Sequence, residues 1–261
     1  MCQTTHTRVL VAVYSFLMKQ PSDFKILIAC EESQAICIEF RKLGFEAYSC
    51  DLLECSGGHP EWHLQTDVFK AVAGGIVLNQ KGQWLEFDSW DLMIAHPPCT
   101  MIAGSSVQWL SHPEDKNLPF DERRLHPRYP NRRNDMAESI EFVKKLYNSN
   151  IKRVAIENPV GLLGTKWRKS DQIIQPYHFG DEATKTTCLW LKNLPALRHT
   201  NVVGKGERTV FSSGKSHPKW YAEALANAKT KQERQTIRSK TFPGIAQAIA
   251  TQWGAFLLNG Y

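Results

Sequence analysis

The sequence has no long hydrophobic run. Its candidate for a leader or anchor, VLVAVYSFLM at 9–18, is ten residues long, about half of what a membrane-spanning helix needs. Arg8 precedes it as in a secretory leader, but KQPSDF follows in place of a small-residue cleavage site. The expectation is therefore a helix on the outside of the domain, within an N-terminal extension over residues 1–23. A disulfide framework is also lacking. The seven cysteines, at 2, 30, 37, 50, 55, 99 and 188, are odd in number and irregular in spacing, which points to a reducing cytoplasm rather than a stapled secreted module. Internal repeats are absent. So is a GxGxxG loop: the first apolar run leads into ACEESQA (29–35), which offers no glycine cradle for the pyrophosphate of NAD or FAD, nor a P-loop. A strong excess of one charge is lacking too: 32 Lys+Arg stand against 26 Asp+Glu, a mild positive excess with a formal charge of +6. Such a balance permits a polyanionic partner without demanding one.

What is present reads as one α/β domain. FKILIAC (24–30) is a buried strand, and QAICIEFRKLG (34–44) an amphipathic helix with a glycine stop. FEAYSCD (45–51) is a second strand, LQTDVF (64–69) a short third strand or turn, and DLMIA (91–95) a fourth. NDMAESIEFVKKLYNSN (134–150) is a helix, KRVAIENP (152–159) a fifth strand, and TFPGIAQAIATQWGAFLLNG (241–260) a final helix. Strand–helix alternation at these lengths implies βαβ units and a mostly parallel sheet. Residues 101–133, rich in Pro, Arg and His, lack periodicity and read either as a functional lid or as a solvated charged loop. The stretch 192–240 is mostly polar and reads as a small insertion.

The chemistry concentrates where strands end. WDLMIA runs straight into His96-Pro97-Pro98-Cys99-Thr100, so two prolines stop the strand and leave Cys99 on a stiff loop. In open α/β sheets the carboxyl edge is where ligands collect. Cys99 is either a small buried hydrophobe, the usual fate of free cysteine, or a nucleophile. IENP puts Glu157 and Asn158 at the end of another strand, where an acid is costly unless used or paired. A rigid cysteine with a nearby carboxyl suggests covalent catalysis with proton management. Asp51 closes the second strand, where an acid accepts hydrogen bonds from ribose hydroxyls. With no phosphate cradle, an adenosyl ligand without phosphates, such as S-adenosylmethionine, suits that edge. CDLLECSGGHPEWH spaces Cys50, Cys55, His59 and His63 like a zinc knuckle. Cys50 belongs to a strand, however, and no metal is expected. Of the tryptophans, Trp109 and Trp220 lie in polar surroundings and are the candidates for base stacking.

Taken in order along residues 25–257, these motifs resemble the DNA cytosine-5 methyltransferases, specifically small phage-type members. ILIACEESQAICIEFRKLGFEAYSCDLLE is similar to that family's first strand, cofactor loop and ribose-binding acid, TDV (66–68) to its adenine-contacting motif, HPPCT to its Pro-Cys loop, and IENP to its Glu-Asn motif. ATKTTCLWL (183–191) falls at its Gln-x-Arg-x-Arg strand, keeping a cation only at Lys185, with alanine and Thr187 at the glutamine and second-arginine positions. The final helix is similar too. The resemblance implies a Rossmann-like S-adenosylmethionine-dependent methyltransferase fold over 24–191 and 241–261, with 192–240 as a reduced target-recognition region. It implies S-adenosylmethionine as cofactor, held by Cys30, Glu31, Ser33, Asp51, Leu52, Asp67, Val68 and Pro97. Cys99, Glu157, Asn158 and Lys185 would carry catalysis at cytosine C5 in double-stranded DNA. Pro98, Thr187, Arg123, Arg124, Arg132 and Arg133 would meet the substrate. No membrane and no obligatory protein partner are expected, and the compartment would be the cytoplasm of a bacterium or phage-infected host. A relative that binds DNA or a partner without turnover, or one that acts on RNA or a free nucleotide, are the alternatives.

Overall fold

The computed structural model describes residues 19–260; the helix expected at 9–18 lies outside them. The elements are β1 (Lys25–Ala29), α1 (Ala35–Lys42), β2 (Glu46–Asp51), β3 (His63–Gln65), α2 (Val68–Ala73), β4 (Gly75–Leu78), β5 (Trp84–Phe87), β6 (Leu92–Ala95) and α3 (Arg132–Tyr147). They continue with β7 (Val154–Pro159), α4 (Leu163–Lys166), β8 (Gln172–Ile174), β9 (Thr187–Lys192), β10 (Arg208–Val210), β11 (Ser216–Pro218), α5 (Lys219–Asn227), α6 (Lys231–Ser239) and α7 (Pro243–Leu258).

Seven strands form one sheet in the order β3-β2-β1-β6-β7-β9-β8. The first five are parallel, and β9 runs antiparallel to both β7 and β8. Strand order reverses between β1 and β6, and such a switch point opens a crevice at the carboxyl edge. Parallel strands covered on both faces read as unbroken apolar runs. In β1, Leu27 and Ala29 belong to one buried cluster and Ile26 and Ile28 to the other. Helices α2, α3 and α4 pack on the first face through Val68, Ala71, Ile140, Val143 and Leu163. Helices α1 and α7 cover the second through Ile36, Phe40, Ile249, Trp253 and Leu257. Trp253 is fully buried, and its indole N–H donates to the Pro195 carbonyl at 3.0 Å; truncating such a residue to alanine costs about 3–5 kcal/mol. This is a Rossmann-like α/β fold, a mostly parallel sheet with helices on both faces.

One expectation needs correction, and two segments gain detail. The stretch 64–69 is not one element, because Asp67 caps the start of α2 by accepting from the Phe69 amide at 2.9 Å and strand β3 ends before it. The region 101–133 is built from successive 3-10 turns at Gly104–Trp109, Pro113–Asn117 and Phe120–Glu122. The β4–β5 hairpin, antiparallel and separate from the main sheet, carries no period that set it apart in the sequence. Residues 192–240 hold the β10–β11 hairpin and helices α5 and α6. Among the described residues, no helix is long and apolar enough to cross a membrane.

Candidate active site

The Pro-Pro-Cys segment leaves β6 at the switch point and is held by its backbone from several directions. The His96 amide donates to the Ala29 carbonyl at 2.9 Å, extending the β1–β6 pairing by one residue. The Asn158 side chain, buried at the end of β7, donates to the Pro97 carbonyl at 2.9 Å. The Cys99 carbonyl accepts from the amides of Ile102 and Ala103 at 3.1 and 2.8 Å. The Thr100 carbonyl accepts from Ser106 Oγ and from Arg132 Nη2. Beyond Cys99 the chain pairs with the stretch after IENP: Leu162 donates to Ile102 and Gly104 to Val160, at 2.7 and 3.0 Å. That approach requires glycine, since a Cβ on Gly161 would lie 2.1 Å from the Ile102 carbonyl oxygen. The loop with the cysteine and the loop after the glutamate are thus one stitched unit.

Side chains converge around this unit. Glu157 Oε2 accepts from His96 Nδ1 at 3.0 Å. Burial pushes the Glu157 carboxyl up, but the hydrogen bond and charge of His96, with Lys185 beyond, bring it below its ordinary range. His96 is pushed down by burial, yet Glu157 and then Glu31 more than reverse this and keep the imidazole protonated above its usual range. His96 was not singled out from the sequence; its position three residues before Cys99 was the available signal. Lys185, just ahead of β9, donates to the Ser239 and Lys240 carbonyls at 3.3 and 2.9 Å, at the C-terminal end of α6 where a cation is favoured. Burial lowers its pKa, and Glu157 and Cys99 pull the other way. Cys99 is partly exposed. Burial first, then the Glu157 charge, pushes its thiol up, while Arg238 of α6 and Lys185 act to lower it. A narrow cleft between these groups is lined by His96, Glu157, Lys185 and Thr187 on its polar side and by Phe242 and Ile245 on its apolar side. Thr187 is buried, its hydroxyl donating to the Lys185 carbonyl at 3.1 Å; Pro98 is exposed beside Cys99.

The cofactor candidates sit on the same sheet edge. Cys30 follows β1 in the left-handed region (φ 58°), and burial first, then Asp51, Cys50 and Asp67, push its thiol up. One oxygen of Asp51 accepts from the Leu53 amide at 3.0 Å, and one of Asp67 caps α2. Each carboxylate retains an oxygen for a hydroxyl or amine. Leu52 is 71% exposed, an apolar surface beside those acceptors. Val68 is buried under α2 and Pro97 is buried in the loop. Glu31 needs a correction. It is 4% exposed and turned inward, its oxygens accepting from the Ile36 and Cys37 amides at 2.9 and 3.4 Å. Its carboxylate is a cap on α1, not a ligand contact. That cap occupies the helix N-terminus where a phosphate would bind, so the edge suits a nucleoside ligand without phosphates. Two carboxylate acceptors, an exposed apolar residue and a plugged phosphate site fit S-adenosylmethionine. Ser33 is half-buried, and its carbonyl lies under Gly57 of the loop after β2.

The arginine loop is largely self-bound. Arg124 grips Asp115 through Nε and Nη2 at 2.6–3.2 Å and also reaches Glu114. Arg133 donates to the Leu110 and Arg123 carbonyls and to Ser111 Oγ. Arg123 donates to the Leu118 and Lys116 carbonyls. These three guanidinia are struts of the loop, and Arg132 ties it to Thr100. Trp109 packs against His126 and Tyr129, each with ring centroids at 5.3 Å. Trp220 donates to the Thr184 carbonyl at 3.1 Å and meets Phe242 edge-on, so it joins α5 to the site wall. The zinc-knuckle spacing does not converge: His63 uses Nδ1 on Ser49 and Nε2 on the Leu53 carbonyl, and Cys50 faces the Thr66 carbonyl. Among the described residues no cluster of three or more metal-ligating side chains occurs.

No family model matches this chain, and no curated protein matches it. Among solved structures, one similar chain is an E. coli prophage-encoded protein described as a DNA modification methyltransferase, at 11% identity and a TM-score of 0.35. The match covers 64% of this chain and 46% of that one, so this chain spans less than half of that protein's length.

Proposed function

We propose that the protein is an S-adenosylmethionine-dependent DNA methyltransferase acting at C5 of cytosine, with Cys99 as nucleophile. What carries this reading is the convergence of the Cys99 loop, Glu157 and Lys185 at the switch point, beside an edge that suits a phosphate-free nucleoside. Cytosine C5 is a poor nucleophile. Thiolate addition at C6 turns the ring into an enamine whose C5 can attack an electrophile. S-adenosylmethionine, when bound by Asp51, Asp67, Leu52 and the Cys30 backbone, supplies the electrophilic methyl group. Glu157 accepts from the exocyclic amine, and a proton delivered at N3 neutralises the charge shifted into the ring. Lys185 stabilises the thiolate through its charge, and Asn158 fixes the height of the loop through Pro97. The target base leaves the duplex stack at a cost of a few kcal/mol. The cleft as it stands has room for about one water, so base entry displaces Phe242 or Lys185.

The test is transfer of an isotope-labelled methyl group from S-adenosylmethionine to duplex DNA, RNA and deoxycytidine monophosphate in parallel, with nucleoside digestion. The reading predicts 5-methyldeoxycytidine from DNA, abolished in Cys99→Ser. Label on RNA or the mononucleotide alone moves the substrate; DNA binding without transfer identifies a binding relative.

A further inference from the structure

Resting on that reading, we infer that His96 is the proton-holding partner of Glu157, and that the pair together delivers and takes back the proton that cytosine N3 needs during addition. The hydrogen bond from Nδ1 to Glu157 Oε2 is 3.0 Å long, and the two side chains are 11% and 20% exposed. The far nitrogen, Nε2, is buried and has no hydrogen-bond partner. A buried imidazole with a single partner is costly to retain for packing alone; both residues line the cleft, and the Glu157 charge acts on the Cys99 thiol. The charged groups facing the imidazole come from three segments: Glu31 from the β1–α1 loop, Glu157 from β7, and Lys185 from ahead of β9. Cys99 and Arg238 in turn act on Lys185. Two carboxylates around one imidazole favour the protonated form, against burial and the lysine.

The consequence is chemical. A lone carboxylate can accept from the cytosine amine but has no proton for N3. With His96, the pair holds one. As the Cys99 sulfur–C6 bond forms and the C5=C6 electrons shift towards N3, the proton passes from Nδ1 to the Glu157 carboxyl and on to N3. Neutral imidazole and carboxylate remain. After C5 has taken the methyl group it loses its proton to water. The freed electron pair forms C5=C6 as the C6–S bond breaks and the thiolate leaves, and N3 returns its proton by the same path. The thiol proton is lost to solvent beforehand. Burial keeps the reservoir from exchanging freely with water, and the stitched loop keeps Nδ1 on the carboxylate.

The test pairs His96→Asn, whose amide can still donate to Glu157 but cannot titrate, with Glu157→Gln. In wild type the rate falls on the alkaline side as the pair loses its proton. In His96→Asn that limb moves to lower pH by about one unit or more, and the rate near pH 8 drops about tenfold or more, while the adduct-forming thiol remains. Independently of turnover, the imidazole resonances of His96 titrate above the ordinary histidine range in wild type. In Glu157→Gln they titrate below it, because burial is then less opposed. An unchanged pH profile in His96→Asn with wild-type transfer intact overturns the inference and leaves the methyltransferase reading standing, as does an unchanged His96 midpoint in Glu157→Gln. Absence of methyl transfer by the wild-type protein on every substrate overturns both.

Discussion

Asn158 and Pro97, 61 residues apart, are joined by a buried hydrogen bond of 2.9 Å from the asparagine amide to the proline carbonyl. This bond sets where Cys99 stands relative to Glu157, because the acceptor lies two residues before the cysteine and the donor is the glutamate's neighbour. Asn158→Ala leaves the Pro97 carbonyl buried and unpaired, which costs about 1–3 kcal/mol. The expected result is a lower urea midpoint at unchanged slope, together with faster exchange of the Ile102 and Ala103 amides that bond to the Cys99 carbonyl. A variant as stable as wild type would show that the bond does not hold the loop.

Gly161 offers a second test of the stitched unit. A methyl group there meets the Ile102 carbonyl oxygen at 2.1 Å, a backbone atom that cannot rotate aside. Gly161→Ala therefore forces the two loops apart and destabilises the protein by about 1–3 kcal/mol. Methyl transfer should fall more steeply than stability, since the displaced segment follows directly on Cys99. Equal melting temperatures for variant and wild type would contradict the packing.

The Cys99 thiol is raised by burial and by the Glu157 charge, with Lys185 and Arg238 opposing. Glu157→Gln should therefore increase the thiolate fraction at about pH 8 and speed alkylation of Cys99, whereas Lys185→Met should slow it. Peptide-resolved mass spectrometry of iodoacetamide labelling reads both rates and separates Cys99 from the other cysteines. Slower labelling in Glu157→Gln would mean that the carboxylate does not face the sulfur.

Asp115 makes the arginine-rich loop sensitive to acid. The Arg124 guanidinium beside it pulls the carboxyl down to about 2. A depressed folded-state pKa stabilises above the unfolded value of about 3.9, and this is lost as pH falls from there towards 2. Loop order, followed by the fluorine resonance of 5-fluorotryptophan at Trp109, should persist at about pH 4 and collapse only near 2. Asp115→Asn should show the loosened signal already at neutral pH, and a transition at the ordinary aspartate range in wild type would refute the coupling.

The central sheet was legible because its parallel strands are buried on both faces and so read as unbroken apolar runs, as in KILIA of β1 and LMIA of β6. The edge that holds the candidate site was legible for a related reason: proline cannot continue a ladder, so HPPC and ENP mark where strands stop. The β4–β5 hairpin was not legible, since Ile76, Leu78 and Trp84 are exposed and carry no burial period. Nor was the fate of the arginines. Composition records charge, and only the fold reveals that Asp115 and loop carbonyls take up Arg123, Arg124 and Arg133. Glu31 misled for the same reason: an acid in a cofactor-loop position looks like a ligand until its oxygens are found on the amides of α1. His96 lay within the quoted motif, but nothing local ties it to a glutamate 61 residues away.

The central claim is that Cys99 adds to C6 of a cytosine held by Glu157. Duplex DNA containing 5-fluorocytosine, incubated with the full chain and S-adenosylmethionine, tests it directly, because fluorine at C5 blocks the elimination that would release the enzyme. The account predicts a denaturation-resistant protein–DNA complex whose cross-linked peptide contains Cys99, absent in Cys99→Ser. A cross-link through any other residue, or no complex under conditions where methyl groups are transferred to DNA, would contradict it.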